Sequence, residues 1–181
     1  MATQHSQKTV SAWLERILGH EGGYSDNPDD PGNWTGGKVG EGELKGTKWG
    51  IAANTYGQFD LDIKTLTVEQ AADIYIQDYL GPIKASDYED GVAFQMLDFA
   101  VNSGPRNAKR ALQRAIGVKD DGAIGPVTLS RLSKYSESVL IMLLTAERID
   151  FMTSLGAWDD FGKGWARRLA GNLRYGAQDS D

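Results

Sequence analysis

The stretch VAFQMLDFAVN, residues 92–102, decides the fold. Only Gln95, Asp98 and Asn102 interrupt its apolar residues. Because these positions fall at i, i+3 and i+7, they share one side of a helix that is otherwise apolar all round. We therefore expect a central buried helix that ends at the Gly-Pro pair at 104–105. Its polar side chains either are satisfied in the core or line the floor of a cleft.

Helical periodicity continues toward the N-terminus. Apolar residues follow the helical pattern from Val10 to Leu18, and Thr9 is the expected N-cap. The Gly-Gly pair at 22–23 is the expected stop, which puts Glu21 at the end of this first helix.

Other helix boundaries are visible between and beyond these segments. The sequence TVEQ at 67–70 predicts a capping box, and Gly81-Pro82 is expected to end the helix that follows it. Pro126 predicts the start of a short helix that runs through Leu132.

Residues 24–50 lack this periodicity and are rich in Asp, Asn, Pro and Gly. We expect a mainly α fold with a small irregular or β lobe near residues 24–50. Acidic residues outnumber basic ones up to about residue 87, after which the two balance. This shift marks the expected division into parts 1–87 and 88–181, packed into one globule.

Composition excludes several classes of function. The chain has no cysteine and only two histidines, His5 and His20, so we expect no thiol nucleophile, metal or cofactor. A net charge of −6 argues against nucleic acid as the main partner. The longest apolar run, 139–144, is far too short to span a membrane. We therefore expect carboxylates, hydroxyls and amides to be the catalytic groups.

Two carboxylates stand out. Glu21 precedes two glycines, which leave room for a ligand near the backbone, and Asp30 follows nine residues later in the turn at 29–32. A loop that folds back would place the two carboxyls on opposite sides of a sugar ring. If the loop does not fold back in this way, Glu21 is simply a solvated acid and Asp30 simply a turn-forming residue.

Longer motifs carry a resemblance. EGGY at 21–24, NPDDPG at 27–32 and TKWGI at 47–51 together resemble the N-terminal signature of glycoside hydrolase family 108, the phage endolysin and secreted N-acetylmuramidase family. The stretches at 98–105, 112–117 and 121–128 are similar to the companion region called peptidoglycan-binding domain 3. The DGAIGPVT motif at 121–128 also resembles wall-binding modules in general.

The resemblance implies a lysozyme-like fold and cleavage of the β-1,4 bond between N-acetylmuramic acid and N-acetylglucosamine. Glu21 would be the general acid. Asp30 would position water or stabilise the oxocarbenium-like transition state, and the Thr47 hydroxyl would help to hold that water. Many relatives place this Thr only a few residues after the Asp-Pro-Gly turn, whereas residues 33–46 intervene here. Asp29 is a rival to Asp30.

Other residues are candidates for substrate binding. Tyr24 and Trp49 lie in the loop lobe, where aromatic rings either stack on sugars or join the core. Asn102 belongs to the family-like VNSG motif at 101–104.

The resemblance also implies partners and a location. We expect the peptidoglycan glycan strand as substrate, a monomer without a membrane anchor, and no signal peptide. The enzyme would be made in the host cytoplasm and would reach the cell wall through a holin or an export partner. Three rivals are a lytic transglycosylase, a chitinase and a noncatalytic wall-binding protein that uses residues 121–128.

Overall fold

The structure is a computed structural model that describes residues 5–18, 23–57 and 61–179. It divides into two compact units. The N-terminal unit comprises residues 6–76, and the C-terminal unit comprises residues 77–179 together with His5. No helix within the described ranges is long and apolar enough to cross a membrane.

The described α-helices of the N-terminal unit are α1 (Gln7–Leu18), α2 (Ala53–Tyr56) and α3 (Val68–Tyr75). The apolar face of α1 packs against α3. The prediction that Thr9 caps α1 is wrong. The hydroxyl of Ser6, three residues earlier, accepts the backbone N–H of Thr9 at 3.1 Å and so satisfies a donor that the first turn leaves free.

The capping box at the start of α3 is confirmed. The hydroxyl of Thr67 accepts the backbone N–H of Gln70 at 3.2 Å, and the side-chain oxygen of Gln70 accepts the N–H of Thr67 at 2.9 Å. Both bonds are local, which is why the sequence alone was sufficient to predict them.

The small irregular lobe is also confirmed. Strands β1 (Thr47–Lys48) and β2 (Ile51–Ala52) pair antiparallel, with Thr47 opposite Ala52. The two residues between them, Trp49 and Gly50, have φ angles of 53° and 73°. Positive φ at both central residues is the geometry that lets a two-residue turn follow the twist of paired strands.

The C-terminal unit is helical and is arranged around α5. Every residue from 91 to 100 is buried, because α5 packs against helices on several sides. Gln95 and Asp98 are among these residues, so they are core polar groups rather than groups that line a cleft. The described helices are α4 (Gly81–Ile83), α5 (Asp90–Ser103), α6 (Pro105–Ala115), α7 (Pro126–Leu132), α8 (Glu137–Thr153) and α9 (Trp158–Asp179).

The prediction that Gly81-Pro82 ends a helix is wrong, because both residues belong to α4. Pro82 lies in the first turn, where a missing backbone N–H costs nothing. A π-helical segment, Ile76–Leu80, precedes α4, and Lys84 follows it with a φ of 57°. The left-handed backbone of Lys84, not the proline, interrupts the helical path.

Candidate active site

Glu21, the expected general acid, and its neighbour His20 lie outside the described residues. Helix α1 is described as far as Leu18, and the next described residue is Gly23. The structure therefore bears on the candidate site through the loop lobe that follows α1.

Asp30 forms the start of a short 3-10 helix, Pro31–Asn33. Its Oδ1 accepts the backbone N–H of Gly32 at 2.8 Å, while its own N–H donates to the carbonyl of Asn27. The side chain is exposed, and the hydrogen bonds described for its carboxyl all involve Oδ1. Asp29 is exposed as well, and its backbone N–H donates to the Asn27 side chain. The turn therefore fixes Asp30 more tightly than its rival.

Asn33 is the buried anchor of this lobe, with no exposed surface. Its backbone carbonyl accepts the N–H groups of both Lys45 and Gly46 at 3.0 Å. Its side-chain amide donates to the carbonyl of Asn27 at 3.0 Å. A single residue thus holds the turn that contains Asp30 and both ends of the segment that separates it from Thr47.

Residues 34–45 form a hairpin between these two anchored ends. Trp34 pairs with Leu44 in an isolated β-bridge, and the N–H of Thr35 donates to the carbonyl of Glu43 at 3.0 Å. The chain leaves Asn33 and returns to the same place. The intervening segment therefore does not carry Thr47 away from the Asp-Pro-Gly turn.

Thr47 lies directly beside Asn33. Its hydroxyl donates to Oδ1 of Asn33 at 2.8 Å, and its backbone pairs with Ser25 through two hydrogen bonds of 2.8 and 2.9 Å. Because the hydroxyl proton is committed to Asn33, the oxygen has lone pairs left to accept a hydrogen bond. The geometry suits a group that accepts a hydrogen bond from a water molecule.

Tyr24 packs on the backbone of Gly46. A Cβ at Gly46 would approach the tyrosine ring to 2.6 Å, so only glycine fits there. The Tyr24 hydroxyl donates to the carbonyl of Lys45 at 3.4 Å, and the Lys64 ammonium lies 5.6 Å from the ring centroid. Burial, and secondarily the charges of Asp26 and Asp62, raise the pKa of Tyr24. The phenol therefore stays neutral and keeps its proton.

Trp49 occupies the β1–β2 turn with a left-handed backbone, which a bulky residue rarely adopts. Its indole N–H is buried and finds no acceptor among the residues that the structure describes. The left-handed backbone, and an indole N–H for which the described residues supply no acceptor, keep Trp49 a candidate for ligand binding.

Asn102 belongs to the C-terminal unit and is exposed near the end of α5. Its side-chain amide donates to the carbonyl of Asp98 at 2.7 Å, one helical turn earlier. Its side-chain oxygen is the group that it can offer to a ligand. The expected site residues thus fall in both units, with Asp30, Thr47, Tyr24 and Trp49 in the N-terminal one.

An ion cluster surrounds Asp98, which is fully buried, and the sequence did not predict it. Arg168 donates to its carboxyl through Nε at 2.9 Å, and Asn172 donates at 2.7 Å. Nη1 of Arg148 lies 2.6 Å from Oδ2 and forms a buried ion pair with it. The Arg148 guanidinium also stacks on the Phe99 ring at 5.0 Å.

Electrostatics within this cluster favour the charged carboxylate. Burial alone would raise the pKa of Asp98, but the positive charges of Arg148 and Arg168 outweigh it, so the pKa is lowered. One signal for Arg148 was available in the sequence. It follows Leu144 and precedes Met152 at four-residue spacing, which places a charge on the buried face of α8.

The DGAIGPVT motif at 121–128 turns its polar groups inward onto Gln113. The Gln113 amide donates to Oδ1 of Asp121 at 2.9 Å and to the carbonyl of Ala123 at 3.1 Å. Its oxygen accepts the N–H of Gly122 at 2.7 Å, and Thr128 is buried beside it. The hydrogen bonds to Gln113 therefore hold the loop that contains this motif against α6.

Comparisons with known proteins agree with the family resemblance of the sequence motifs. Residues 14–104 match the family model of glycosyl hydrolase 108, and residues 107–170 match that of a predicted peptidoglycan domain. The solved structure of Brucella abortus SagA is 31% identical and covers 97% of this chain and 97% of its own, with a TM-score of 0.74. No curated protein matches the chain significantly.

The glycosyl hydrolase match contains the motifs at 21–24, 27–32 and 47–51, and the peptidoglycan-domain match contains those at 112–117 and 121–128, so the resemblance noted in the sequence is confirmed. The assignment of the stretch at 98–105 to the companion region is wrong, because residues 98–104 lie within the glycosyl hydrolase match. The two matches also establish the general activity, since a glycoside hydrolase joined to a peptidoglycan domain acts on peptidoglycan. The chain belongs to glycosyl hydrolase family 108.

Proposed function

We propose that the protein is an N-acetylmuramidase that hydrolyses the β-1,4 bond between N-acetylmuramic acid and N-acetylglucosamine. Glu21 is the general acid in this proposal, and Asp30 and Thr47 are its catalytic partners. One observation carries the assignment of the partners: Asn33 is bonded both to the turn that Asp30 begins and to the Thr47 hydroxyl.

The reaction requires Glu21 to carry a proton when the glycan binds. A free glutamic acid has a pKa of roughly 4.3, so burial beside apolar groups must raise it for the acid to work near neutral pH. Glu21 then gives its proton to the departing glycosidic oxygen, and positive charge develops on the neighbouring sugar.

Asp30 and Thr47 act on the other reactant, water. Asp30 keeps Oδ1 on the N–H of Gly32, which leaves Oδ2 to stabilise the developing positive charge or to accept a proton from water. The Thr47 oxygen accepts a hydrogen bond from the second O–H of this water and so orients it, because the threonine's own proton is held by Asn33. Tyr24, Trp49 and Asn102 bind the sugars.

The cellular role that we propose follows the same family. The protein acts as an endolysin and as a monomer, with its catalytic part in residues 1–87 and a wall-binding part in residues 88–181. It is made in the host cytoplasm and reaches the cell wall through a holin pore or an export partner.

Mass spectrometry of the muropeptides released from purified cell walls tests the proposal. We expect the parent to release fragments with reducing muramic acid ends and Glu21→Gln to release almost none. Glu15→Gln, an exposed glutamate on α1, is the matched control and should retain parental activity.

Each rival predicts a different result. A lytic transglycosylase releases 1,6-anhydro products, a chitinase cuts chitin oligomers in preference to cell walls, and a wall-binding protein sediments with walls without releasing fragments. Near-parental release by Glu21→Gln would refute the assignment of the acid.

A further inference from the structure

A cavity of about 500 Å³ lies within the C-terminal unit, beside the start of α5 and between α7 and α8. One wall is aliphatic and consists of Val92, Leu129, Leu132 and Leu140. A volume of this size accepts a small organic group or the side chain of a peptide. The aliphatic wall requires that part of the occupant be apolar.

Another part of the lining is acidic. Asp87, Glu89 and Glu137 line the cavity, and none of the described residues that line it is a lysine or an arginine. None of the three carboxylates forms an ion pair with a basic side chain among the described residues. The nearby Arg131 does not line the cavity, since its Nε donates to the carbonyl of Ile116 and its guanidinium lies 5.7 Å from the ring centroid of Tyr135, which does. The occupant that complements this wall is positively charged.

Glu137 is held rigidly in this wall. Its Oε1 accepts the backbone N–H groups of Gly91 and Val92 at 2.6 and 3.3 Å. A Cβ at residue 91 would lie 2.7 Å from this oxygen, so Gly91 makes the approach possible. Burial first, and then the charge of Glu89, raise the pKa of Glu137, while the two backbone bonds lower it. A cation beside the pair would relieve that repulsion.

The carboxylates are not arranged for a metal ion. Within the described residues, no three acidic, histidine or cysteine side chains converge closely enough to ligate one. An ammonium group differs, because its three N–H donors reach separate carboxylate oxygens and its alkyl chain can lie along an apolar wall.

We propose that this cavity binds a primary alkylammonium group at the end of an aliphatic chain, as carried by the diamino acid of a peptidoglycan stem peptide. This inference rests on the proposed function in taking the peptide-bearing glycan as the natural ligand. The aliphatic chain lies along the leucines, and the ammonium group meets Glu89 and Glu137. The site would thus select glycan strands whose stem amines are free.

Calorimetric titration of the full chain with peptides that carry no sugar tests the proposal. The probe is L-alanyl-γ-D-glutamyl-L-lysine, and a second arm replaces lysine with meso-diaminopimelate. We expect binding of at least one of them, and the tighter one identifies the source of the amine. Acetylating the side-chain amine should weaken binding at least about tenfold, because it removes the charge. Equal affinity for the acetylated peptide would overturn the proposal.

Variants check the acidic wall. The double change Glu89→Gln with Glu137→Gln should weaken peptide binding by about tenfold or more. Glutamine at 137 keeps an oxygen for the Gly91 N–H, and a thermal melt confirms folding. Asp159→Asn, an exposed acid on α9, is the control and should bind as the parent does. Equal loss in the control would contradict a specific site.

The outcome is separable from that of the muramidase proposal, because these peptides have no glycosidic bond. If Glu21→Gln abolishes muropeptide release but no peptide binds the parent, only the cavity assignment fails. If an amine-dependent peptide binds a protein that releases no reducing ends, the cavity assignment stands and the muramidase proposal fails.

Discussion

The hydroxyl of Thr47 donates a 2.8 Å hydrogen bond to the side-chain oxygen of Asn33, although the two residues are 14 positions apart. The bond is possible because the hairpin at 34–45 starts and ends at Asn33. It orients the threonine oxygen with free lone pairs, which is the feature that the proposed mechanism needs.

Thr47→Val should reduce muropeptide release by about 10²-fold, since misplacing the attacking water is costly. Valine keeps the shape but leaves Oδ1 of the buried Asn33 without a donor, at about 1–3 kcal/mol of stability. Thr47→Ser retains the hydroxyl and should stay close to the parental rate. Initial rates on purified walls, with urea unfolding of each variant, measure both effects. Similar rates for valine and serine would exclude the hydroxyl from the reaction.

Gly46→Ala should lower the free energy of unfolding by about 3 kcal/mol or more. Its φ of 77° is left-handed, and the new Cβ would press on the carbonyl of Ser25 and the ring of Tyr24, both at 2.6 Å. Gly40→Ala is the matched control. Its φ is 80°, but nothing lies within 4 Å, so only the backbone strain of about 1–2 kcal/mol remains.

Chemical denaturation of both alanine variants gives their free energies of unfolding. The difference between them separates the cost of the steric clash at Gly46 from the cost of the left-handed backbone that both positions share. If Gly40→Ala and Gly46→Ala lose the same stability, the close packing of Tyr24 on the backbone does not matter energetically.

Asp98→Asn should cost about 3–5 kcal/mol at neutral pH, because it leaves Arg148 and Arg168 without their buried counter-charge. Folding lowers the pKa of Asp98, so its ionised form stabilises the protein above the unfolded pKa of about 3.9. That contribution disappears as the pH falls through the lower value of the folded state. The difference between parent and variant should therefore shrink on acidification.

Unfolding free energies measured from pH 7 to pH 2 check this dependence. Asp159→Asn, on exposed surface, serves as the comparison and should show a small difference from the parent across the range. A constant gap between the parent and Asp98→Asn would mean that Asp98 does not titrate with folding.

Gln113→Leu should loosen the loop at 117–125 and cost about 2–3 kcal/mol, since several buried hydrogen bonds to Gln113 are lost. Limited proteolysis should then cut this loop faster than in the parent. Lys119→Ala, in the same loop and exposed, is expected to leave both stability and cleavage nearly unchanged. Unaltered proteolysis of Gln113→Leu would show that other contacts hold the loop.

Local signals in the sequence predicted structure well. The capping box at Thr67 and the start of α7 at Pro126 depend only on neighbouring residues, and both are confirmed. The error at Thr9 has a local cause too, because Ser6 and Thr9 are both good caps and a pattern of apolar residues does not choose between them. Strands of two residues, such as β1, are too short to show alternation.

Long-range features could not be predicted in this way. Arg168 meets Asp98 across 70 positions, and nothing in local periodicity pairs them. The sequence also gave no sign that the hairpin returns to Asn33. Residues 33–46 therefore seemed to separate Thr47 from the Asp-Pro-Gly turn, whereas the hairpin brings the chain back to that turn. The catalytic roles of Glu21, Asp30 and Thr47 stay predictions that the muropeptide experiment addresses.

The closed hairpin has a consequence for engineering. Both ends of the hairpin are held by the buried Asn33. A change in the length or sequence of the hairpin should therefore not move the residues on either side of it. Foreign recognition peptides grafted between Thr35 and Glu43 should leave the parent scaffold intact. The hairpin offers a natural insertion point for retargeting this enzyme to other bacterial surfaces.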